Sequence, residues 1–315
     1  MSQFYTPGWH NDPAEVARVV AALPAIQGCP ARFADYLDFR ADDEKTVLLW
    51  EPELRLYGKP KPTWDQGSAG TCVSFGWGRG LNDVYLLMVA TGKSSEPPGD
   101  VATEPIYGFS RVEIGRGRLG SEDGSLGAWA AEGARRFGNL FRTTYPGGVD
   151  LTRYSESLSR NWGVRGVPDS LEPTARVQIA RSVAQVRTFD EAWQAIGSYY
   201  PVPVCSNRGF TDTLRDGCLD PQGVWNHCML FRGRLVSRRR GRILICQNSW
   251  YAGWLKGDPI IEDRDGKQIE LPEGCFGVEE PVADAMLRQD DSFSVSDVEG
   301  FPVRDEINWS RIFER

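Results

Sequence analysis

The strongest chemical signal in the sequence is a cysteine that follows a glycine-rich turn. Residues 64–75 read WDQGSAGTCVSF, and an apolar, helix-like segment begins at Cys72. A cysteine in the first turn of a helix has its thiolate favoured by the positive end of the helix dipole. Gln66 lies six residues upstream and carries a side-chain amide that can donate to a developing oxyanion. The stretch therefore predicts a reactive thiol at a helix start.

A thiol nucleophile needs a base and a group that orients the base. His227 is one of only two histidines, and it lies in residues 223–231, which read GVWNHCMLF and predict the start of a core strand. Residues 243–254 read ILICQNSWYAGW, so Asn248 follows a second predicted strand. Asn248 can accept a hydrogen bond from the imidazole, and Trp250 can cover that bond from water.

These three blocks, in the order Cys, His, Asn, resemble the papain-like (family C1) cysteine peptidases over roughly residues 35–280. The resemblance implies that Cys72 attacks a peptide carbonyl and that His227 protonates the leaving amine. Asn248 would orient the imidazole, while Gln66 and the N–H of Cys72 would form the oxyanion hole. The implied function is hydrolysis of a peptide or protein substrate through an acyl-enzyme.

The resemblance also implies a substrate cleft. Gly124 and Ser125 lie where the family has a Gly-Gly turn that lines the cleft, and we expect Asn226 and Trp250 to lie in the cleft as well. No cofactor or metal is expected. The one adjacent pair of histidine and cysteine, His227 and Cys228, would point to opposite faces of a strand.

Composition limits the alternatives. The chain has 315 residues, 41% of them hydrophobic and 25% charged, as in ordinary globular proteins, and its net charge of −7 gives no reason to expect nucleic acid. No apolar run is long enough to span a membrane, and we expect no signal peptide. Seven scattered cysteines and Ala69, which stands where the family has a disulfide cysteine, favour a reducing compartment. We therefore expect a cytoplasmic protein, free or incorporated into a larger particle.

The pattern of elements predicts an α+β, two-subdomain fold with the cleft between the halves. We expect a helical subdomain over about 65–150, a β-rich subdomain over about 175–280, an N-terminal extension over 1–34 and an acidic tail over 281–315 that lies on the surface. Helices are predicted over 14–23, 72–90, 125–137 and 189–198, strands over 46–50, 177–186, 201–205, 224–235, 242–248 and 275–278, and irregular chain over 93–124 and 153–173.

Several segments leave alternatives open. The helix at 14–23 could pack on the body or act as an inhibitory pro-segment, although it is short for that role. The arginine-rich run 232–242 is interpreted as a solvated turn, with contact to nucleic acid or an acidic protein as the alternative. The tail 281–315 could pack on the surface, cross the cleft or bind an assembly partner. The alternative function is a papain-fold structural component of a larger assembly, for instance a virus particle, with little or no proteolysis.

Overall fold

The chain folds into a helical half followed by a sheet-rich half. The computed structural model describes residues 7–36, 45–95, 99–178 and 180–304. The helices are α1 (Pro13–Gln27), α2 (Glu51–Tyr57), α3 (Cys72–Ala90), α4 (Thr103–Gly108), α5 (Gly127–Arg136), α6 (Glu156–Arg165), α7 (Glu172–Arg176), α8 (Phe189–Gly197) and α9 (Glu280–Leu287). The predicted α+β class and the predicted helices at 72–90, 125–137 and 189–198 are confirmed.

The strands are β1 (Val47–Leu48), β2 (Thr144–Tyr145), β3 (Val149–Asp150), β4 (Ser182–Gln185), β5 (Val202–Phe210), β6 (Pro221–Ser237), β7 (Gly241–Gln247), β8 (Ile260–Glu262), β9 (Gln268–Glu270), β10 (Cys275–Glu279) and β11 (Phe293–Ser296). The main sheet has the order β1-β6-β7-β10, and β5 also pairs with β6. All of these pairings are antiparallel. The long strand β6 is therefore the centre of the sheet.

Helix α3 packs closely on this sheet. A Cβ atom added to Gly76 would lie 2.9 Å from the carbonyl oxygen of Met229, and one added to Gly80 would lie 3.3 Å from a methyl group of Leu230. Glycine is unfavourable inside a helix by about 1 kcal/mol relative to alanine. Here it allows the helix backbone to approach β6 closely, and α3 can position Cys72 against the sheet.

Two segments predicted to be irregular contain helices, so those predictions are wrong. Within 93–124, helix α4 continues into a π-helical turn at Phe109–Ile114. Within 153–173, helix α6 begins where the Ser155 hydroxyl accepts the N–H of Leu158 at 3.2 Å. Gly163 lies inside α6, where a Cβ added to it would lie only 2.6 Å from the ring of Tyr107 on α4. This glycine therefore allows α6 and α4 to pack closely and does not end the helix.

The predicted ends of two other elements also shift. Helix α1 continues past Pro24 and ends at Gln27. The next residue, Gly28, caps it with a left-handed φ of 74° and donates its N–H to the Pro24 carbonyl at 2.9 Å. The strand expected over 177–186 shortens to β4, because Val177 caps the end of α7 and is 74% exposed. The apolar residue Val177 therefore did not mark the start of a strand.

The C-terminal segment contributes to the core up to Phe301, so the expectation of a tail that lies on the surface is wrong for residues 281–301. Strand β11 pairs with β4, and its Phe293 and Val295 are fully buried. Phe301 is also buried and its ring lies 5.1 Å from that of Tyr200. Residues 305–315 lie outside the described part of the chain. The domain boundaries near 35 and 280 stay predictions.

The arginine-rich run begins inside the protein. Arg232 is fully buried on β6 and donates to Asp83 at 2.7 Å, to Glu53 at 3.0 Å and to Gln247 at 2.7 Å. Arg79 also donates to Glu53, at 2.5 Å. Burial raises the pKa of Asp83 to about 6, although the neighbouring arginines oppose the shift. The solvated-turn interpretation is therefore wrong for this part of the run.

The arginines nearer the turn have carboxylate partners. The ion pairs are Arg238–Glu262 at 2.6 Å, Arg239–Asp216 at 2.7 Å, Arg240–Glu279 at 2.6 Å and Arg242–Glu280 at 2.7 Å. Exposed pairs of this kind contribute at most about 1 kcal/mol each. They neutralise the run locally, so it is not an open row of positive charge.

Candidate active site

Cys72 is the first residue of α3, and its side chain is fully buried. The N–H of Cys228 on β6 donates to its Sγ at 3.4 Å, and the N–H groups of Val73 and Gly8 also point to the sulfur. Burial raises the pKa of the thiol above its usual range, and these N–H donors offset only part of the shift. In this state the sulfur is a neutral thiol.

His227 lies on β6, one residue before the Cys228 that donates to the thiol. Its Nε2 lies 2.7 Å from Asn248 Oδ1. Burial lowers the pKa of His227 to about 4, and the hydrogen bond to Asn248 counteracts this only in part. The ring is therefore neutral near pH 7, and Nδ1 is the nitrogen that the Asn248 contact leaves for the thiol.

Asn248 directly follows β7 and is held in place by its surroundings. Its N–H donates to the Gly274 carbonyl at 3.1 Å, and its own carbonyl accepts the Thr63 hydroxyl at 2.9 Å. The ring of Trp250 lies 5.3 Å from the His227 ring, centroid to centroid. Trp250 thus lies beside the His227–Asn248 bond, where it was expected.

Gln66 is fully buried in the glycine-rich turn before α3. Its Nε2 donates to the Ala69 carbonyl at 3.0 Å, and its Oε1 accepts the Ser249 hydroxyl at 2.7 Å. The backbone N–H of Gln66 also donates to the Ser249 carbonyl, at 3.0 Å. The side-chain amide of Gln66 carries a second N–H besides the one that it donates to Ala69. The contacts with Ser249 link Gln66, the predicted oxyanion donor, to the residue that follows Asn248.

Two of the predicted cleft residues, Ser125 and Asn226, come together around an unexpected occupant, residues 7–10 of the same chain, here called the closing segment. The N–H groups of Gly8 and Trp9 donate to the Asn226 carbonyl at 3.3 and 3.1 Å. Ser125 donates its N–H to the Gly8 carbonyl at 2.9 Å and accepts the N–H of His10 at 3.0 Å. Asn226 and Ser125 thus bind a peptide backbone in this structure.

Gly8 lies directly over the thiol. A Cβ atom added to Gly8 would lie 2.8 Å from Cys72 Sγ, so only glycine fits at this position without a shift. The N–H of Gly8 points toward the sulfur and the Asn226 carbonyl. In a trans peptide the N–H and the C=O point in opposite directions. The Pro7 carbonyl therefore faces away from the thiol, and the closing segment is not held for attack.

Trp9 anchors the closing segment. The side chain is only 4% exposed, and its indole N–H donates to Asp291 Oδ2 at 2.7 Å. Asp291 also accepts the N–H groups of Gly127 at 2.7 Å and Ala128 at 2.6 Å, at the N-terminus of α5. Burial raises the pKa of Asp291 to about 7, and the three donors lower it by less. Neither Trp9 nor Asp291 was predicted from the sequence to lie in the site.

Gly124 and His10, the second histidine, form further hydrogen bonds near the thiol. Gly124 has a φ of 113°, and its N–H donates to the hydroxyl of Tyr107 at 2.8 Å. His10 Nε2 lies 2.9 Å from the Asp123 carbonyl oxygen. The described residues contain no group of three or more His, Cys, Asp or Glu placed to hold a metal ion. Every helix within those residues also falls short of the length and apolarity that a bilayer crossing requires.

Comparison with solved structures shows that the chain has the fold of the papain-like cysteine proteases. Xylellain, a cysteine protease from Xylella fastidiosa, is similar with a TM-score of 0.55 and 12% identity over 93% of this chain and 95% of xylellain. The proform of Amb a 11, a ragweed pollen cysteine protease, has a TM-score of 0.50 and 14% identity over 95% of this chain and 78% of its own. No family model and no curated protein matches the sequence. The likeness defines the fold, and the roles of individual residues rest on the geometry above.

Proposed function

We propose that this protein is a cysteine peptidase in which Cys72, His227 and Asn248 act together. The observation that carries the proposal is the 2.7 Å contact between His227 Nε2 and Asn248 Oδ1, together with the N–H that Cys228, the next residue of β6, donates to Cys72 Sγ. A base oriented by a third group next to a nucleophile is the arrangement that covalent catalysis requires.

In the proposed reaction, His227 takes the thiol proton and the Cys72 sulfur attacks the carbonyl carbon of a peptide bond. The carbonyl oxygen becomes an oxyanion that the N–H of Cys72 and the side-chain amide of Gln66 stabilise. The C–N bond breaks as the imidazolium gives its proton to the leaving amine. Water, deprotonated by His227, then attacks the thioester, which releases the acid and restores the thiol.

The reaction requires that the closing segment leave the cleft. With residues 7–10 bound, Gly8 covers the sulfur, and the thiol and the imidazole are both uncharged. A peptide substrate needs the same Ser125 and Asn226 backbone groups that the closing segment occupies. We therefore propose that the described structure is the closed state of the enzyme.

The test is the rate at which iodoacetamide labels Cys72, with the partly exposed Cys29 as internal reference. The labelling is measured in the full-length Trp9→Ala variant, in which the closing segment should no longer cover Cys72. We expect Cys72 to react faster than Cys29 at neutral pH and to lose this advantage in Trp9→Ala/His227→Ala. Equal rates for both cysteines, unaffected by His227→Ala, would show that the thiol is not activated.

Cleavage itself is measured with a mixture of fluorogenic peptides, and Cys72→Ala is the matched control. The alternative, a structural component of an assembly, predicts a stable association and biological activity that survive Cys72→Ala. The acidic tail up to Phe301 contributes buried residues to the core, and arginines of the run form ion pairs within the protein. Peptidase activity is accordingly the function that the site supports better.

A further inference from the structure

The turn that contains Ser125 is held from inside the protein by the π-helical turn Phe109–Ile114. This π-helical turn directly continues α4. The hydroxyl groups of Ser110 and Ser125 lie 2.9 Å apart, so one of them donates to the other. π-helical turns are rare and are frequently found at functional sites. This one lies directly behind the backbone that binds the closing segment.

Arg111 is the residue of the π-helical turn that reaches the backbone before Ser125. Its side chain is only 2% exposed. Nη1 donates to the Gly124 carbonyl, Nη2 donates to the Gly120 carbonyl at 2.8 Å, and Nε donates to the Gly163 carbonyl at 2.9 Å. A buried guanidinium is costly unless its N–H groups are bound, and here all three nitrogen atoms bind main-chain oxygens. The charge of Arg111 is thus used to hold backbone in place.

Gly124 has both of its backbone polar groups bound in this way. Its carbonyl accepts a hydrogen bond from Arg111, and its N–H donates to the hydroxyl of Tyr107 at 2.8 Å. The Arg111 guanidinium also lies over the Tyr107 ring, 4.9 Å from the ring centroid. Tyr107 and Arg111 therefore fix the two peptide planes that meet at Gly124.

The second of these planes contains the group that binds a peptide. The Gly124 carbonyl and the Ser125 N–H belong to one planar peptide unit, in which they point in opposite directions. The Ser125 N–H donates to the Gly8 carbonyl at 2.9 Å. Gly124 has a φ of 113° and no Cβ, so by itself it leaves this plane free to rotate. Arg111 removes that freedom by holding the carbonyl side of the plane.

Building on the proposed peptidase function, we propose that Arg111 is a positioning residue that orients the Gly124–Ser125 peptide plane for binding of a peptide backbone. It acts on the bound peptide only through this plane. Because the closing segment and a substrate use the same Ser125 N–H, loss of Arg111 should weaken the binding of both.

The first experiment measures binding without catalysis. Full-length Trp9→Ala is titrated with the acetylated and amidated tetrapeptide Pro-Gly-Trp-His, the sequence of residues 7–10, and binding is followed by NMR. We expect the peptide to bind about tenfold more weakly to Trp9→Ala/Arg111→Met, the effect of losing one backbone hydrogen bond. Arg111→Lys keeps the charge and a donor for the Gly124 carbonyl, so in the same background it should restore part of the affinity.

The matched control is Arg142→Met in the same background. Arg142 is another partly buried arginine of the helical half, and it pairs with Glu104 at 2.7 Å. Its loss should change the peptide affinity by less than about twofold. If Trp9→Ala/Arg111→Met does not fold, Tyr107→Phe replaces Arg111→Met, because it removes only the hydroxyl that accepts the Gly124 N–H. It should weaken peptide binding about threefold.

The second experiment measures kcat and KM separately for a fluorogenic peptide. A backbone contact that is equally strong in the bound substrate and in the transition state changes KM and leaves kcat unchanged. Arg111→Met in the Trp9→Ala background should therefore raise KM about tenfold and leave kcat within about twofold. A purely structural role of Arg111 would lower the free energy of unfolding without producing this split.

The outcomes separate the two proposals. Cleavage with an unchanged KM in folded Arg111→Met, or an equal loss of peptide affinity in Arg142→Met, overturns the positioning role and leaves the peptidase function standing. Weaker peptide binding in Arg111→Met, but no cleavage of any peptide by Trp9→Ala, supports the positioning role and overturns the peptidase function.

Discussion

Replacing Trp9 with alanine should open the cleft. The indole is 4% exposed in the closed state and becomes solvated when the closing segment leaves, so the substitution destabilises the closed state alone. Truncating a buried tryptophan costs about 3–5 kcal/mol, and this includes the loss of the hydrogen bond to Asp291. At about 1.4 kcal/mol per factor of ten, the ratio of open to closed molecules should rise roughly 10²- to 4 × 10³-fold.

The assay is the labelling of Cys72 by iodoacetamide, relative to Cys29, in wild type and Trp9→Ala. Because Gly8 covers the sulfur in the closed state, labelling requires opening, and the relative rate should rise by up to this factor until the open state dominates. Trp9→Phe keeps the ring and loses the N–H, so its rate should fall between the two. An unchanged ratio of Cys72 to Cys29 labelling in folded Trp9→Ala would refute the inference that the closing segment controls access.

Three further predictions concern the core and the site. Arg232→Met should lower the free energy of unfolding in urea by about 3–5 kcal/mol, because the substitution leaves Asp83 as an uncompensated buried charge. Arg238→Met, on the surface, should change the free energy of unfolding by less than about 1 kcal/mol. Equal losses in the two variants would contradict this prediction. Asn248→Ala in the opened enzyme should slow peptide cleavage about tenfold or more by releasing the imidazole, and an unchanged rate would remove its orienting role. Burial lowers the pKa of His227 from 6.5 to about 4, so the neutral ring contributes stability that is present above pH 6.5 and is lost as the pH falls toward 4. Between pH 7 and 4, the free energy of unfolding of wild type should fall by up to about 3 kcal/mol more than that of His227→Gln. Parallel pH curves for the two proteins would contradict the assignment.

The sequence predicted best where a local pattern and a chemical block coincide. Helix α3 was predicted with its observed bounds, because its apolar positions recur at helical spacing from Cys72 to Ala90. His227 and Asn248 were predicted as partners from their strand-like flanks, and the antiparallel pairing of β6 and β7 brings the two residues together. Each of these signals lies within one element or at its end.

The features that were missed depend on contacts between distant parts of the chain. The closing segment has no periodicity, and its binding site is formed by Ser125 and Asn226, both more than a hundred positions away. Asp291 looks like one of many acidic residues in a polar stretch until β11 carries it into the core. Arg232 reads as part of a surface run because its partners, Asp83 and Glu53, come from other elements. Local composition gives no information about such partners.

The hydrogen bond from Trp9 to Asp291 joins the first described residues of the chain to nearly the last ones. During synthesis, Cys72, His227 and Asn248 all leave the ribosome before residue 291 does. The carboxylate that holds Trp9 in place is therefore the last part of the site to be made. Until Asp291 has been made, the growing chain contains Cys72, His227 and Asn248 while Trp9 still lacks its carboxylate partner.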